Sequence, residues 1–169
     1  MTSGRHSDVY FEKFRILEQP AVLSTLCSEL CVRFSDIRFD FVAGPTTGGI
    51  IIAFEIARQL GLSAIYVESE HGVKTLRRGR TIPEGARVMI VDDVLTTGTS
   101  LVETRQAIET AGGRPCAYGV LIDRSADDLR LDLPLQSAFK VKAQSYAADE
   151  VPEWLAAIPV TKPGTRTTA

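Results

Sequence analysis

The sequence has no apolar run approaching the roughly 18 residues that a membrane helix needs, which excludes a helical span. The first ten residues, Met1 to Tyr10, are polar and have no apolar centre, so no secretory leader is expected from them. Cations are not in excess either. Lys+Arg number 19 against Asp+Glu 21, a net charge of −2, which argues against a protein built to coat nucleic acid or an anionic membrane. Cysteine is scarce: Cys27, Cys31 and Cys116, with no zinc-like CxxC pair. Cys27 and Cys31 fall four apart in a helical pattern and share a face, so all three are expected as small buried hydrophobes in a reducing cytoplasm, not as metal ligands. Internal repeats, low-complexity segments and dividing linkers are also missing.

What is present is a globular composition: 169 residues, 44% hydrophobic and 24% charged. That fits one domain, 1–169, with a real core. Val22, Leu26, Leu30 and Phe34 recur every four residues behind Pro20, predicting an amphipathic helix over Ala21 to Phe34. Short β-rich runs then alternate with helical patterns. Asp40 to Gly44 reads as a strand, Ile50 to Leu60 as a helix stopped by Gly61, and Ala64 to Val67 as a second strand. His71 to Glu84 is polar and basic, too long for a tight turn and too hydrophilic for core. Val88 to Val91 is continuously apolar, as in a strand buried on both faces of a parallel sheet. Leu101 to Ala111 reads as a helix, Cys116 to Ile122 as a strand and Ala138 to Val141 as a shorter one. The alternation predicts an α/β domain, a largely parallel central sheet flanked by helices. Ligands in such sheets bind at the carboxyl ends of the strands. Three unusual loops fall at such ends: Pro45 to Gly49, Asp92 to Ser100 and Asp123 to Ser125.

The middle loop carries the most chemistry. Its strand delivers two adjacent carboxylates, Asp92 and Asp93, and Thr96, Thr97, Gly98, Thr99 and Ser100 lead into a helix. A helix start offers unpaired N–H groups and the positive end of a dipole, which suits an anion. Gly98 allows close backbone approach, and the hydroxyls add donors. Two acids beside that cradle suit a ligand that also presents hydroxyls or a magnesium ion. A sugar phosphate meets these demands together. A P-loop is a poor alternative, since it needs a Lys after its glycines and has no acid pair.

Ile90 to Ser100, IVDDVLTTGTS, resembles the phosphoribosyl pyrophosphate (PRPP) motif of the type I phosphoribosyltransferases. Other segments are similar to the orotate branch of that family. Ser3-Gly4-Arg5-His6-Ser7 precedes Tyr10-Phe11, Gly44 to Gly49 stands where the family carries its pyrophosphate loop, and Glu68 to Gly79 resembles a mobile catalytic loop. Asp123-Arg124-Ser125 matches the place of an arginine for the base carboxylate, and Ile158 to Arg166 resembles a Lys-Pro-Gly-Ser-Arg tail. The resemblance spans nearly the whole chain.

It implies a single-domain type I phosphoribosyltransferase fold with a mobile loop over the site. Segments 1–20, 68–84 and 150–169 would be the base-covering segment, the catalytic loop and the tail. It implies a glycosyltransferase that moves 5-phosphoribosyl from PRPP to orotate in pyrimidine synthesis. Asp92 and Asp93 would hold the ribose hydroxyls. Thr46, Thr47 and Gly48 would meet pyrophosphate, and Val94, Leu95, Thr96, Thr97, Gly98, Thr99 and Ser100 would cradle the 5′-phosphate. His71, Lys74, Arg77 and Arg78 are the cations available to the loop. Tyr10, Phe11, Thr96 and Arg124 would bind orotate; core packing for the two aromatics and a surface ion pair for Arg124 are the competing readings. Mg²⁺ would arrive mainly with PRPP, touching Asp92 or Asp93 through water, and a homodimer would share loop residues between sites. A transferase for a purine or another base, a PRPP-sensing regulator and an inactive relative remain as alternatives.

Four departures stand out. Only Met1 and Thr2 precede Ser3, where many relatives carry a helix, which implies a start further upstream or a smaller cover over the base. His6 replaces a common Lys and weakens a fixed positive charge near pyrophosphate. Glu68-Ser69 stands where orotate enzymes carry Arg-Lys, and Val151 and Trp154 fall where the subgroup often has a Cys pair.

Overall fold

The computed structural model describes residues 12–76, 79–142, 146–147 and 149–159. Tyr10, Phe11, Arg77, Arg78, the Ser3–Ser7 signature and most of the carboxy-terminal motif lie outside the described residues. Lys13–Lys140 form one compact unit, which holds the sheet and four helices. Glu12 and the described residues from Val141 onward belong to a second unit, whose helix is α5 (Glu153–Ala156).

The larger unit begins with a one-turn helix, α1 (Phe14–Leu17), anchored by buried Leu17. Helix α2 runs Pro20–Arg33, with Pro20 at its first turn, where a missing N–H costs nothing. Then follow β1 (Phe41–Pro45), α3 (Gly48–Leu60), β2 (Ser63–Glu70) and β3 (Val73–Leu76). The second half holds β4 (Arg87–Leu95), α4 (Thr99–Thr110), β5 (Arg114–Asp123) and β6 (Leu135–Lys140).

The strand order is β3-β2-β1-β4-β5-β6. All pairings are parallel except β2 with β3. From β1 the chain moves to β2 on one side and, later, to β4 on the other. The topological switch point therefore lies between β1 and β4, where crevices in open α/β sheets form. β4 is buried along most of its length, because its apolar side chains meet helices on both faces.

The α/β class and the sequence-derived elements appear as expected, with two differences. The polar segment from His71 is not all loop. β2 extends to Glu70, and β3 turns back on it through His71 and Gly72. Both turn residues have positive φ, 50° and 83°, the geometry of a two-residue hairpin turn. The polar, charged composition hid this edge hairpin, since β3 packs on α4 partly through Lys74, which gives no apolar alternation. The second difference is that Asp92 and Asp93 lie inside β4, not beyond its end. All three cysteines are free, but only Cys27 is buried; Cys31 and Cys116 are half-buried, contrary to the expectation. No helix among the described residues is long and apolar enough to cross a membrane.

Candidate active site

Successive side chains of a strand point to opposite faces, so Asp92 and Asp93 serve different sides of the sheet. Asp92, 8% exposed, turns towards α4. Its Oδ2 accepts a hydrogen bond from Ser100 Oγ at 2.7 Å, and its Oδ1 accepts from the Asp93 N–H at 2.8 Å. Asp93, 6% exposed, turns towards α3. Its Oδ1 accepts from the Val94 N–H at 2.7 Å. Its Oδ2 lies 2.7 Å from Lys13 Nζ, yet receives no aligned hydrogen bond. The ammonium balances the charge without occupying the lone-pair direction. Burial pushes the Asp92 carboxyl above its ordinary range, and the neighbouring Asp93 charge adds to this.

Gly48 explains how Asp93 fits. A Cβ at Gly48 would lie 2.0 Å from Asp93 Oδ2, so only glycine lets the first turn of α3 rest on that carboxylate. The preceding Thr46 and Thr47 are exposed, joined by a cis peptide bond, with Thr46 N–H donating to the Val67 carbonyl at 3.0 Å. The expected pyrophosphate loop and one of the expected acids thus meet at the switch point.

On the other face, Gly98 has φ 80°, the left-handed region that glycine tolerates best. It caps α4, and the first intrahelical bond runs from the Val102 N–H to the Gly98 carbonyl. The N–H groups of Thr99, Ser100 and Leu101 therefore have no intrahelical partner. Thr96, Thr97 and Thr99 are exposed around this cradle, with Thr97 Oγ1 and Thr99 Oγ1 3.0 Å apart. Val94 and Leu95 lead into it, with Leu95 Cδ1 3.8 Å from where a Gly98 Cβ would lie. The Val94 N–H is taken by Asp93, and the Leu95 side chain belongs to the core.

Lys74 is the unexpected member of this face. It leaves β3 and donates to Ser100 Oγ at 2.6 Å and to the Ser100 carbonyl at 2.9 Å, with Glu103 Oε2 3.6 Å away. Its side chain is only 14% exposed, and burial pushes its ammonium below the ordinary lysine range, opposed by the nearby Asp92 and Glu103 charges. Lys74, Ser100 and Asp92 form one continuous hydrogen-bonded line. His71, by contrast, occupies the exposed hairpin turn.

Arg124 follows β5 directly. Its N–H donates to the Leu95 carbonyl at 2.9 Å, which fixes it beside the Thr96 turn. The side chain is half-buried, and burial lowers its pKa. Next to it, Asp123 Oδ1 accepts from both the N–H and the Oγ of Ser125 at 2.9 and 2.6 Å. Asp123 and Ser125, though not Arg124, line an open cavity of about 330 Å³ that reaches Lys140.

Sequence reasoning missed Lys13, a single cation in a mixed run with no motif around it. It also missed Thr104, fully buried, whose Oγ1 donates to the Ser100 carbonyl at 2.7 Å. Its i+4 spacing from Ser100 was the available signal.

No group of three or more His, Cys, Asp or Glu among the described residues is arranged to hold a metal ion. Magnesium usually keeps several waters and takes one or two carboxylates plus substrate phosphates. The chemistry of a single carboxylate such as Asp92 or Asp93 is compatible with an ion that arrives bound to phosphates.

Comparison with known proteins agrees with this geometry. The family model for the phosphoribosyl transferase domain matches residues 19–152. The orotate phosphoribosyltransferase of Pelotomaculum thermopropionicum is 42% identical over 166 residues, 98% of this chain and 87% of the relative. That of Chlorobaculum parvum is 36% identical over 169 residues, covering 100% of this chain and 88% of the relative. The crystal structure of orotate phosphoribosyltransferase from Aeropyrum pernix superposes with a TM-score of 0.72 at 32% identity, covering 84% of each chain. The chain belongs to the phosphoribosyltransferases, in the orotate phosphoribosyltransferase family.

Proposed function

We propose that the chain transfers the 5-phosphoribosyl group of PRPP to orotate, releasing pyrophosphate and forming orotidine 5′-monophosphate. The observation that carries this reading is the meeting of Gly48 with Asp93 at the switch point, beside the amide cradle of Gly98 to Ser100. One ligand engages all three groups only if it carries a phosphate, vicinal hydroxyls and a second anionic group.

The ribosyl carbon becomes cation-like as its bond to pyrophosphate breaks. Catalysis is therefore electrostatic: neutralise the leaving group, hold the pentose and position the nucleophile. The amides of Thr99, Ser100 and Leu101 bind the 5′-phosphate, with the hydroxyls of Thr96, Thr97 and Thr99 around it. Asp93 accepts from the ribose hydroxyls, and Asp92 works beside it with Ser100 fixing its orientation. Thr46, Thr47 and Gly48 meet the pyrophosphate. A magnesium ion arriving with the pyrophosphate would be reached by Asp92 or Asp93 through water and would supply positive charge to the leaving group. Arg124 offers a planar fork to the orotate carboxylate, with Thr96 beside it, and Tyr10 and Phe11 cover the ring.

Segment 1–20 acts as the cover, 68–84 as the loop that excludes water, and 150–169 as a carboxy-terminal tail. Because Lys74 is engaged with α4, Arg77 and Arg78 are the stronger candidates for the loop cation, with His71 behind them. A homodimer is supported by the exposed apolar Ile51 and Phe54, one turn apart on α3, and Tyr66 on β2. The free cysteines support a cytoplasmic, reducing location.

The test is loss of orotate absorbance with PRPP and Mg²⁺, run beside uracil, adenine, hypoxanthine and xanthine. Orotate is expected to be consumed and the others not. Turnover of a purine instead would refute the base assignment, and turnover of none would refute the transferase.

A further inference from the structure

Asp93 would be expected to offer an open oxygen to a pentose hydroxyl, yet its Oδ2 faces the Lys13 ammonium at 2.7 Å. The backbone of Lys13 is fixed by the turn it opens: its carbonyl accepts the N–H groups of Ile16 and Leu17, each at 3.1 Å. The side chain is held at its tip by two weak constraints, the Asp93 charge and the Phe14 ring, whose centroid is 5.6 Å from Nζ. It is 39% exposed, whereas its acid partner is 8% exposed. One end of the pair is buried, and the other is a long stem that reaches solvent, so the ammonium can leave once another donor takes its place on the carboxylate.

Two further features set the direction of that turn. Asp93 Oδ2 is buried and still lacks an aligned hydrogen bond, so a hydroxyl donor would improve on the ion pair. Gly48, the end of the Thr46–Gly48 loop, rests on that same oxygen. A polyanion seated on the loop is therefore brought within reach of the ammonium, which has three donors and needs only one for Asp93.

We infer that Lys13 is a pyrophosphate-binding residue parked on Asp93 until the ligand arrives: pentose hydroxyls take the open lone pair of Asp93, and the ammonium turns to the pyrophosphate. This rests on the transferase reading above. It adds a residue that binds the leaving group and a coupling between its arrival and the freeing of Asp93.

Calorimetric titration of the full chain with magnesium pyrophosphate and, separately, with ribose 5-phosphate tests it. Lys13→Met is expected to weaken pyrophosphate binding about tenfold, the effect of losing one charge-assisted contact. Ribose 5-phosphate, which lacks the second anion, should bind within about twofold of the parent, a change too small to reflect a lost contact. Lys13→Arg should recover most of the pyrophosphate affinity. Lys13→Gln, which keeps a donor without the charge, replaces Met if that variant fails to fold. Unchanged pyrophosphate binding in Met or Gln, or equal weakening for both ligands, overturns the inference while leaving the transferase intact. A parent chain that binds neither ligand overturns both.

Discussion

Asp92 and Asp93 are consecutive residues that work on opposite faces of β4: Asp92 answers to α4 through Ser100, and Asp93 to α3 through Gly48. A strand cannot present neighbouring side chains to one face, so the pair is not a single two-pronged clamp. Each acid links one loop to the central strand, and in the proposed reaction the pentose bridges the crest between them.

The first prediction follows from that division. Asp93→Asn keeps size and shape but removes the charge facing the pentose, so turnover should fall about 100-fold to 1,000-fold, the usual effect of losing one electrostatic group. Asp92→Asn loses charge at the Ser100 contact and should chiefly raise KM for PRPP. Steady-state kinetics with thermal melts check both, and unchanged turnover in Asp93→Asn would remove that acid from the mechanism.

Gly48→Ala introduces a methyl group that would lie 2.0 Å from Asp93 Oδ2 and 2.8 Å from its Cγ. Something must move, either the carboxylate or the start of α3. Overpacking of this kind costs about 1–3 kcal/mol. The expected result is a lower urea midpoint together with a raised KM for PRPP. A variant with parent stability and parent KM would show that the contact relaxes freely.

Lys74 separates a strut from a lid. Lys74→Ala strips donors from Ser100 and Thr104 in a nearly enclosed network, a loss of about 1–3 kcal/mol in unfolding free energy. Arg78→Ala should lower turnover without shifting the unfolding midpoint. If Lys74→Ala instead unfolds like the parent and loses only turnover, Lys74 belongs to the lid.

Acid sensitivity has an identifiable source away from the site. Arg58 donates to both Glu55 oxygens at 2.9 and 2.8 Å, and Gln59 donates at 2.7 Å. These bonds hold the Glu55 carboxyl at about 2, against 4.5 for a free glutamate. A depressed carboxyl stabilises the fold above its unfolded value and loses that contribution as pH falls through its folded value. Stability from this group should therefore be full above pH 4.5 and fade towards about 2. Glu55→Gln should be less stable than the parent at neutral pH, with the gap closing over that window in denaturant titrations.

Much of this was legible in the chain itself. Continuous apolar runs such as Val88 to Val91 can only be central strands, and the acid-glycine-hydroxyl string after them has few other uses. The β3 hairpin was not legible, because a short edge strand that packs partly through a lysine shows no hydrophobic period; only its His71-Gly72 turn marked it. Nor was the division of Asp92 from Asp93, which depends on the strand continuing through both. Lys13 was invisible for a different reason. Its role comes from a contact 80 positions away in the chain, and a single lysine leaves no pattern.

Base choice gives the last prediction. Arg124 enters the site on a backbone tied to Leu95, so its guanidinium origin is fixed relative to the Thr96 turn. A planar fork matches a carboxylate with two parallel bonds, whereas a lysine at the same place offers a point charge. Arg124→Lys preserves charge and most of the stem, so any loss reports geometry and not electrostatics. KM for orotate should rise about tenfold or more, while KM for PRPP stays within about twofold, too little for a lost contact. If both constants rise together, Arg124 supports the β4–β5 ends as a whole and the carboxylate is read elsewhere. If neither changes, its half-buried guanidinium serves the fold alone.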